Sequence, residues 1–383
     1  MKRITESEER KMIKILFFIP GLSEGGAEKV LCNLVNHMDQ TKFDITVQTI
    51  EEYNAEDYLV SGIHYKAVNR RKTAFGKRIF EYWFRLCAQL RLAYSFWVKD
   101  DYDIEVAYLE TAATKIISQS TSRKAKKIAW VHCDLSRKEG MSENAAKVRK
   151  QYEKFDKIIC VSEDVRNGFC RLFGKQFNTQ VLYNVIDEGE ILKKAAQSVK
   201  TWKKKRGKKL LAVGRLTEQK NFAYLIDCCA RLRDDGFEFQ LNILGEGPER
   251  ENLEKQIEQL ELEEYVILQG YTDNPYVWMK NADAIICSSR YEGISSVVQE
   301  ALILDKAVIT TPCSGMRELL GDSIYGMIAE DSDEGLYESI KCIMSDPTLQ
   351  EHYEQKAAER KKYFQKNEIL RKTENLFFDL VKE

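Results

Sequence analysis

Short apolar runs alternate with amphipathic stretches along most of this chain. In the first half, the runs that predict β-strands are residues 13–19, 45–50, 104–109, 128–132, 158–161 and 181–182. In the second half, they are residues 210–213, 239–244, 266–268, 284–287, 307–310 and 325–328. The stretches between them carry helical periodicity, as at residues 27–38, 222–233, 250–260 and 334–344. Apolar strands that alternate with helices predict parallel sheets covered by helices on both faces.

The pattern divides into two halves at residues 187–207, which are polar, basic and without strand periodicity. A chain of 383 residues also exceeds the roughly 250–300 residues at which a single core stops growing. We therefore predict an α/β fold of two Rossmann-like, doubly wound domains, at residues 1–186 and 208–365, with a linker at 187–207. We expect the apolar stripe of a last helix, at 366–383, to pack back toward the N-terminal domain. Such domains bind ligands in the crevice beyond the carboxyl ends of their strands.

The loop and helix after the predicted strand 284–287 carry the strongest chemical signal. Glu292 lies in the loop and Glu300 lies eight residues later, in the helix. The small residues between them, beginning with Gly293, leave backbone N–H groups open at the helix start, which suits an anion. A buried Glu300 could accept hydrogen bonds from both hydroxyls of a sugar diol. The alternative is a pair of glutamates on a solvated helix face.

The predicted strand 210–213 ends at Gly214 and then delivers two cations, Arg215 and Lys220, into a loop. An arginine can fork across phosphate oxygens and a lysine can act as a point charge, so the pair suits a diphosphate. The alternative is that Arg215 and Lys220 are only solvated, as cations in loops often are.

The first predicted strand runs into a loop that contains Gly25 and Gly26, where a backbone can approach a ligand closely at the start of a helix. This loop is not the GxGxxG fingerprint of dinucleotide binding, and a plain tight turn would also explain it. His132 ends the predicted strand 128–132, a position that could touch a ligand in the crevice. A lone histidine can equally be structural.

Composition excludes several classes of protein. Hydrophobic residues make up 44% and charged residues 31% of the chain, as in ordinary soluble enzymes. No apolar run approaches the ~20 residues of a membrane-spanning helix, and the first twelve residues are too charged for a secretory signal. The ten cysteines form no CxxC pair and the four histidines lie far apart. We therefore expect a cytoplasmic protein with reduced thiols and no metal site.

Charge is unevenly distributed, although the net charge is only −1. Residues 1–186 carry 31 Lys and Arg against 24 Asp and Glu, whereas residues 210–383 carry 19 against 33. The intervening residues 187–209 add nine basic residues, six of them in 203–209. A basic N-terminal half predicts an anionic partner, such as a membrane surface or a lipid phosphate. No recognition helix or aromatic-basic RNA motif supports nucleic acid.

Residues 66–99 concentrate this charge and interleave it with aromatic rings. Their nine basic residues are Lys66, Arg70, Arg71, Lys72, Lys77, Arg78, Arg85, Arg91 and Lys99. Their aromatic residues are Phe75, Phe80, Tyr82, Trp83, Phe84, Tyr94, Phe96 and Trp97. Basic and aromatic amphipathic helices lie in membrane interfaces, so we expect contact with an anionic membrane surface. The alternative is a helix packed on its own sheet with a solvated basic face.

Taken together, the motifs resemble those of the family 4 retaining glycosyltransferases of the GT-B type, also called glycosyltransferase group 1. They are GGAE at 25–28, VSE at 161–163, YNVID at 183–187, VGRL at 213–216 with Lys220, GEGP at 245–248, and EGISSVVQEA at 292–301. They occur in the family's order over most of the chain. One departure stands at Ile294 and Ser295, where the family usually has Phe and then Pro or Gly, and it leaves the sugar preference open.

The resemblance implies a nucleotide-sugar donor held mainly by the C-terminal domain and an acceptor held mainly by the N-terminal domain. It implies that Arg215 and Lys220 bind the donor diphosphate, that Glu300 binds the ribose, and that Glu292 lies near the donor sugar. His132 then contacts the sugar near the reacting carbon. The implied catalytic residues are His132, Glu292, Arg215 and Lys220. The implied donor-binding set is Gly25, Gly26, Gly214, Arg215, Lys220, Glu292, Gly293, Ile294, Ser295, Ser296 and Glu300.

The function expected from this resemblance is retaining, metal-independent transfer from a UDP-sugar to a glycan or lipid-linked acceptor in polysaccharide or cell-envelope synthesis. The enzyme would be cytoplasmic and peripheral on the inner face of the membrane, and it would need no cofactor. Two alternatives are a GT-B nucleotide-sugar epimerase, which would need catalytic carboxylates for chemistry at C2, and a protein that binds sugar nucleotides without catalysis.

Overall fold

The computed structural model describes residues 12–22, 25–69, 80, 83–84, 86–87, 89–90, 92–138, 140–198, 202 and 207–382. Thirteen strands within these residues form two parallel sheets.

The first sheet has seven strands in the order β3-β2-β1-β4-β5-β6-β7. They are β1 (Ile13–Ile19), β2 (Phe43–Glu51), β3 (His64–Asn69), β4 (Ile104–Ala107), β5 (Lys126–Val131), β6 (Lys157–Cys160) and β7 (Thr179–Val181). The helices around it are α1 (Gly26–His37), α2 (Ala93–Trp97), α3 (Ala112–Ile117), α4 (Met141–Tyr152) and α5 (Glu163–Phe173). The prediction missed β3, an edge strand whose residues are mostly only partly buried and form no apolar run.

The second sheet has six strands in the order β10-β9-β8-β11-β12-β13. They are β8 (Lys208–Val213), β9 (Phe239–Leu244), β10 (Val266–Gly270), β11 (Ala284–Cys287), β12 (Ala307–Thr310) and β13 (Met327–Ile328). Its helices are α7 (Phe222–Asp234), α8 (Arg250–Gln259), α9 (Pro275–Lys280), α10 (Ser296–Ile303), α11 (Met316–Leu320), α12 (Gly335–Ser345) and α13 (Pro347–Arg360). Two doubly wound parallel sheets confirm the predicted fold class.

Part of the predicted linker is a packed helix. Helix α6 (Glu188–Ala195) buries Ile191 and Ala195, and it contacts α9 and α10 of the second sheet. Its N-terminus is capped by Asp187, whose Oδ1 accepts a hydrogen bond of 3.2 Å from the N–H of Glu190. Helix α6 was not predicted because its buried apolar residues are too few to give a helical pattern among the surrounding charged residues. Residues 199–201 and 203–206, which hold most of the basic run, lie outside the described residues.

The last helix, α14 (Lys366–Lys382), packs on the first sheet although it follows the second in sequence. The Phe377 ring is fully buried, with its centroid 6.1 Å from those of both Phe17 and Phe43. A Glu374 oxygen accepts a 3.0 Å hydrogen bond from the N–H of Asp39, at the end of α1. Helical spacing of the buried positions produces this apolar stripe.

The two domains are in direct contact along the cleft. One apolar cluster continues from the first sheet to α10 and β11 of the second. Hydrogen bonds also cross, because the Ser314 hydroxyl donates to Asp134 at 2.9 Å and the Gly315 N–H donates to Asp164 at 2.8 Å. Among the described helices, none is both long enough and apolar enough to span a bilayer.

Candidate functional site

The carboxyl ends of the central strands of both sheets carry the predicted site residues. All strands are parallel, but the direction in which successive strands are added across the sheet reverses between β1 and β4 in the first sheet and between β8 and β11 in the second. At such switch points the outgoing loops diverge and leave a crevice for ligands. Gly25 and His132 lie beyond the strand ends of the first sheet, and Arg215 and Glu292 lie beyond those of the second.

Lys220 and Glu292 form an ion pair on the C-terminal side of the cleft. The Lys220 Nζ lies 2.6 Å from Glu292 Oε1, and the Ser289 hydroxyl donates to the same oxygen at 2.7 Å. Burial lowers the pKa of Lys220, but the charge and hydrogen bond of Glu292 oppose it, so that the pKa is raised overall. Lys220 therefore keeps its positive charge. Gly214 lies behind it, since a Cβ there would come 3.1 Å from the Lys220 Cε.

Arg215 is exposed and interacts across the cleft with Glu28 of α1. Burial raises the pKa of Glu28, while its backbone hydrogen bond and the positive charge of Arg215 oppose that rise. The Glu28 carboxylate folds against Gly25, at the start of the same helix. The two predicted cations thus differ: Lys220 is held by a buried partner, whereas Arg215 is exposed and interacts with Glu28 of the other domain.

The N-terminus of α10 opens toward the glycine loop of the other domain. The Ser295 hydroxyl caps the helix by accepting a 3.4 Å hydrogen bond from the Val298 N–H. Within the described part of the chain, the N–H groups of Ser296 and Val297 have no hydrogen-bond partner. A Cβ on Gly26 would lie 3.5 Å from the Ser296 hydroxyl, so this loop and this helix face each other. Together they form a place where an anion could bind between the domains.

His132 and Gly293 bring the two sheets into backbone contact. A Cβ on Gly293 would lie 1.8 Å from the His132 carbonyl oxygen, so no residue with a side chain fits there. The Gly293 carbonyl accepts a 3.0 Å hydrogen bond from the Ser162 hydroxyl of the first domain. Ile294, the next residue, is buried in the apolar cluster that the two domains share.

The His132 imidazole is held neutral with one ring nitrogen unused. Its ring centroid lies 4.8 Å from that of Tyr108 and 6.5 Å from that of Trp130. Burial lowers the pKa of His132 to about 3. Its Nε2 is buried and has no hydrogen-bond partner among the described residues. A buried nitrogen without a partner costs free energy, which makes Nε2 a candidate for a hydrogen bond to a ligand.

The Glu300 carboxylate interacts with two residues that were not predicted from the sequence, Lys29 and Tyr276. The Lys29 Nζ of α1 lies 2.5 Å from Glu300 Oε1, and the Tyr276 hydroxyl donates to the same oxygen at 3.4 Å. Lys29 also donates to the Tyr276 oxygen and lies over its ring. Burial and the charge of Glu300 raise the pKa of Tyr276. Lys29 directly follows the GGAE motif, and this position could have identified it as a candidate site residue from the sequence. No sequence pattern identifies Tyr276.

The cleft therefore brings the predicted residues together from both domains. The first domain contributes Gly25, Gly26 and His132, and the second contributes the remainder. Within the described ranges, no group of three or more His, Cys, Asp and Glu side chains could hold a metal ion.

Two family models match the chain in succession. Residues 24–190 match the model described as Glycosyltransferase Family 4, and residues 193–360 match the model described as Glycosyl transferases group 1. The chain belongs to the group 1 glycosyltransferases. The resemblance inferred from the motifs is confirmed by these matches.

Individual relatives are similar over different shares of their length. An N-acetylgalactosamine-N,N'-diacetylbacillosaminyl-diphospho-undecaprenol 4-alpha-N-acetylgalactosaminyltransferase of Campylobacter jejuni is 38% identical over 194 residues, 50% of this chain and 51% of the relative. The amylovoran biosynthesis glycosyltransferase AmsD of Erwinia amylovora is 24% identical over 353 residues, 90% of this chain and 94% of the relative. The chain thus spans about half the length of the first of these relatives in the alignment.

Solved structures share the fold. The crystal structure of HepE from Anabaena with UDP and glucose superposes with a TM-score of 0.74 at 18% identity, covering 96% of this chain and 100% of that one. Sucrose-phosphate synthase from Thermosynechococcus elongatus superposes with a TM-score of 0.75 at 14% identity, covering 96% and 99%. At these identities the likeness concerns the fold, and it supports two facing parallel-sheet domains.

Proposed function

We propose that this glycosyltransferase moves a sugar, with retention of configuration, from a UDP-sugar to a glycan or lipid-linked acceptor of cell-envelope polysaccharide synthesis. The observation that carries the proposal is the cleft where the second domain supplies the Lys220–Glu292 pair and the open end of α10, and where Gly293 contacts the His132 backbone of the first domain. The UDP bound by HepE supports the donor class, and the names of the Campylobacter and Erwinia relatives support the acceptor class.

The charges in the cleft suit departure of a diphosphate. Breaking the bond between C1 of the sugar and the phosphate oxygen sends the electron pair to the leaving group, where Lys220, Arg215 and the α10 N–H groups would stabilise it. The acceptor hydroxyl would attack C1 from the face that the phosphate leaves, and the departing phosphate would take its proton. The neutral His132 would donate or accept a hydrogen bond at the sugar without itself changing charge.

Contact between the domains would keep water away from C1 during this step. Gly293 and His132 are already in contact, so the reacting carbon would lie beside a contact between the two domains. Exclusion of water favours transfer over hydrolysis. No step requires a metal ion, since the positive charge comes from side chains and the helix terminus.

A screen of nucleotide sugars in EDTA tests this proposal. We expect nucleotide release from a UDP-sugar, faster when a polyprenyl-diphosphate glycan is added, and a product that keeps the anomeric configuration of the donor by NMR. Activity lost in chelator and restored by Mg²⁺ or Mn²⁺ would contradict the metal-free scheme. Binding of nucleotide sugars without turnover would favour the binding-protein alternative, and an epimerised donor would favour the epimerase.

The described part of residues 66–99 separates into an inward and an outward set of rings. Phe84 stacks on Trp97 with centroids 4.8 Å apart, and Tyr94 is buried with its hydroxyl 2.5 Å from Glu105. In contrast, Trp83 and Phe96 are 53% and 47% exposed, and their centroids lie 6.1 Å apart. Near them in the chain, Leu86, Leu90 and Leu92 are also exposed. Arg70, Arg71, Lys72, Phe75, Lys77, Arg78, Tyr82, Arg85 and Arg91 lie outside the described residues.

We therefore propose that the outward set inserts into an anionic membrane while the nearby basic residues bind its head groups. Each basic residue near such a surface contributes about 1 kcal/mol, which falls with salt. We expect the protein to pellet with anionic vesicles at low salt, and less at high salt. Trp83→Ser with Phe96→Ser should weaken pelleting, as should changing Arg70, Arg71, Lys72, Lys77 and Arg78 to Glu.

A matched control is Ile324→Ser, which removes an apolar side chain that is also 53% exposed but lies in the other domain. Its pelleting should equal that of the unchanged protein. Equal pelleting with neutral and anionic vesicles, or none at all, would remove the membrane proposal and favour a soluble acceptor.

A further inference from the structure

A buried carboxylate that the proposed reaction does not use lies behind His132. Glu110 follows β4 and is only 6% exposed. One of its oxygens, Oε1, accepts hydrogen bonds from the backbone N–H groups of both His132 and Cys133, the latter at 2.8 Å. A single side chain therefore fixes the two peptide groups with which the chain leaves β5.

This carboxylate is held without an ion pair among the described residues. Burial raises the pKa of Glu110, and its hydrogen bonds to backbone N–H groups and the charge of Lys138 oppose that rise. Burying an acid without a counter-ion costs free energy that an apolar side chain would not. The two hydrogen bonds to the His132 and Cys133 N–H groups offset part of this cost, and they are the interaction that an apolar residue at position 110 would lack.

The loop that carries Glu110 is itself in an unusual conformation. Thr111 has φ 77° and ψ −100°, a region that a β-branched residue rarely adopts. Such strain persists only where surrounding contacts hold the backbone in place. The Thr114 hydroxyl supplies one of them by donating to the Leu109 carbonyl at 3.1 Å. At the start of this loop, Tyr108 packs its ring against the His132 imidazole.

The His132 peptide is therefore held from two sides. Glu110 binds its N–H from within the first domain, and Gly293 of the second domain lies against its carbonyl oxygen. With the backbone held and the ring packed on Tyr108, the unpartnered Nε2 has a defined direction. A catalytic group that is misplaced by about 1 Å can lose a hundredfold in rate.

We propose that Glu110 is a positioning residue for His132: it fixes the peptide groups on both sides of His132 and so aims the imidazole at the reacting carbon of the donor. This inference rests on the proposed glycosyl transfer. Glu110 does not touch the substrate, and its effect passes entirely through His132. The competing explanation is that Glu110 only stabilises the first domain.

A double-mutant cycle separates the two explanations, because residues that act through one another are not additive. We expect Glu110→Ala to lower kcat by about tenfold to a hundredfold in the unchanged protein. In the His132→Ala background, the same change should lower the residual kcat by less than about twofold. UDP affinity, measured by calorimetry, should be the same in all four proteins. Glu110→Gln, which keeps one acceptor oxygen, should restore part of kcat.

If Glu110→Ala does not fold, as judged by circular dichroism, the cycle uses Glu110→Asp, which keeps the charge but withdraws the oxygens from the two N–H groups. Equal losses of kcat on both backgrounds, a loss of UDP affinity, or unchanged kcat would each overturn the positioning role. A protein that transfers no sugar in the donor screen would instead overturn the proposed function, and this inference with it. The two failures differ in whether the unchanged protein is active.

Discussion

We expect the Lys220→Ala and Arg215→Ala variants each to have a kcat about a hundredfold to a thousandfold lower than the unchanged protein. This is the usual effect of removing one group that stabilises developing charge in the transition state. Both cations would face the leaving diphosphate, yet their surroundings differ. Lys220 is 2.6 Å from a buried Glu292, whereas Arg215 is exposed. Removing Lys220 leaves the Glu292 carboxylate buried without a counter-ion, so this variant should also be less stable. Arg215→Ala should keep the melting temperature of the unchanged protein.

The measurements are steady-state kinetics together with thermal unfolding. Lys341→Ala is the matched control, because it breaks a 2.6 Å ion pair with Asp235 that lies on the surface, away from the cleft. Its kcat should equal that of the unchanged protein. Near-normal kcat for both Lys220→Ala and Arg215→Ala would remove the assignment of the leaving-group site.

Glu300→Ala should weaken UDP binding by about a hundredfold or more, since each hydrogen bond between a ribose hydroxyl and a carboxylate contributes about 1.5–3 kcal/mol. In the free protein, this carboxylate is already bound to Lys29, with 2.5 Å between Nζ and Oε1. A ribose hydroxyl that donates to Oε1 of Glu300 would therefore compete with Lys29 for this oxygen. Lys29→Met removes that competitor, so we expect UDP affinity to stay the same or to rise.

Isothermal titration calorimetry with UDP compares the two variants directly. Both variants lose the same ion pair between the domains, but only Glu300→Ala loses the carboxylate. A difference in UDP affinity between them therefore reports on the carboxylate itself. A fall in UDP affinity on Lys29→Met equal to that on Glu300→Ala would show that the ion pair itself, rather than the carboxylate, supports binding. Near-normal affinity in Glu300→Ala would refute the ribose assignment.

The sequence was sufficient for the architecture, because the buried parts of the parallel strands form largely apolar runs. Strand β3 was missed for the same reason: at the sheet edge, its residues are mostly half-buried and need no apolar run. Helix α6 was missed because only Ile191 and Ala195 are buried in it, against a charged background. Both errors concern elements at the margin of a core, where burial leaves a weak pattern.

The candidate site was predictable where one loop holds several residues, as from Glu292 to Glu300. Residues that meet only through folding were not. Lys29 and Tyr276 reach Glu300 from two other helices, and Glu110 reaches His132 from a neighbouring strand end. No local spacing relates such residues. Glu110 comes near His132 because β4 lies beside β5 in the first sheet, and Lys29 comes near Glu300 because the two domains are in contact.

The place of α14 has a consequence for how the protein is made. Phe377 closes over Phe17 and Phe43, yet it leaves the ribosome only after the whole second domain has been synthesised. Until then, the part of the first sheet that Phe377 covers, around Phe17 and Phe43, stays uncovered. The first domain to emerge is thus the last to be completed, and a nascent chain paused anywhere in the second domain carries an open apolar surface. Such a surface attracts chaperones and promotes aggregation.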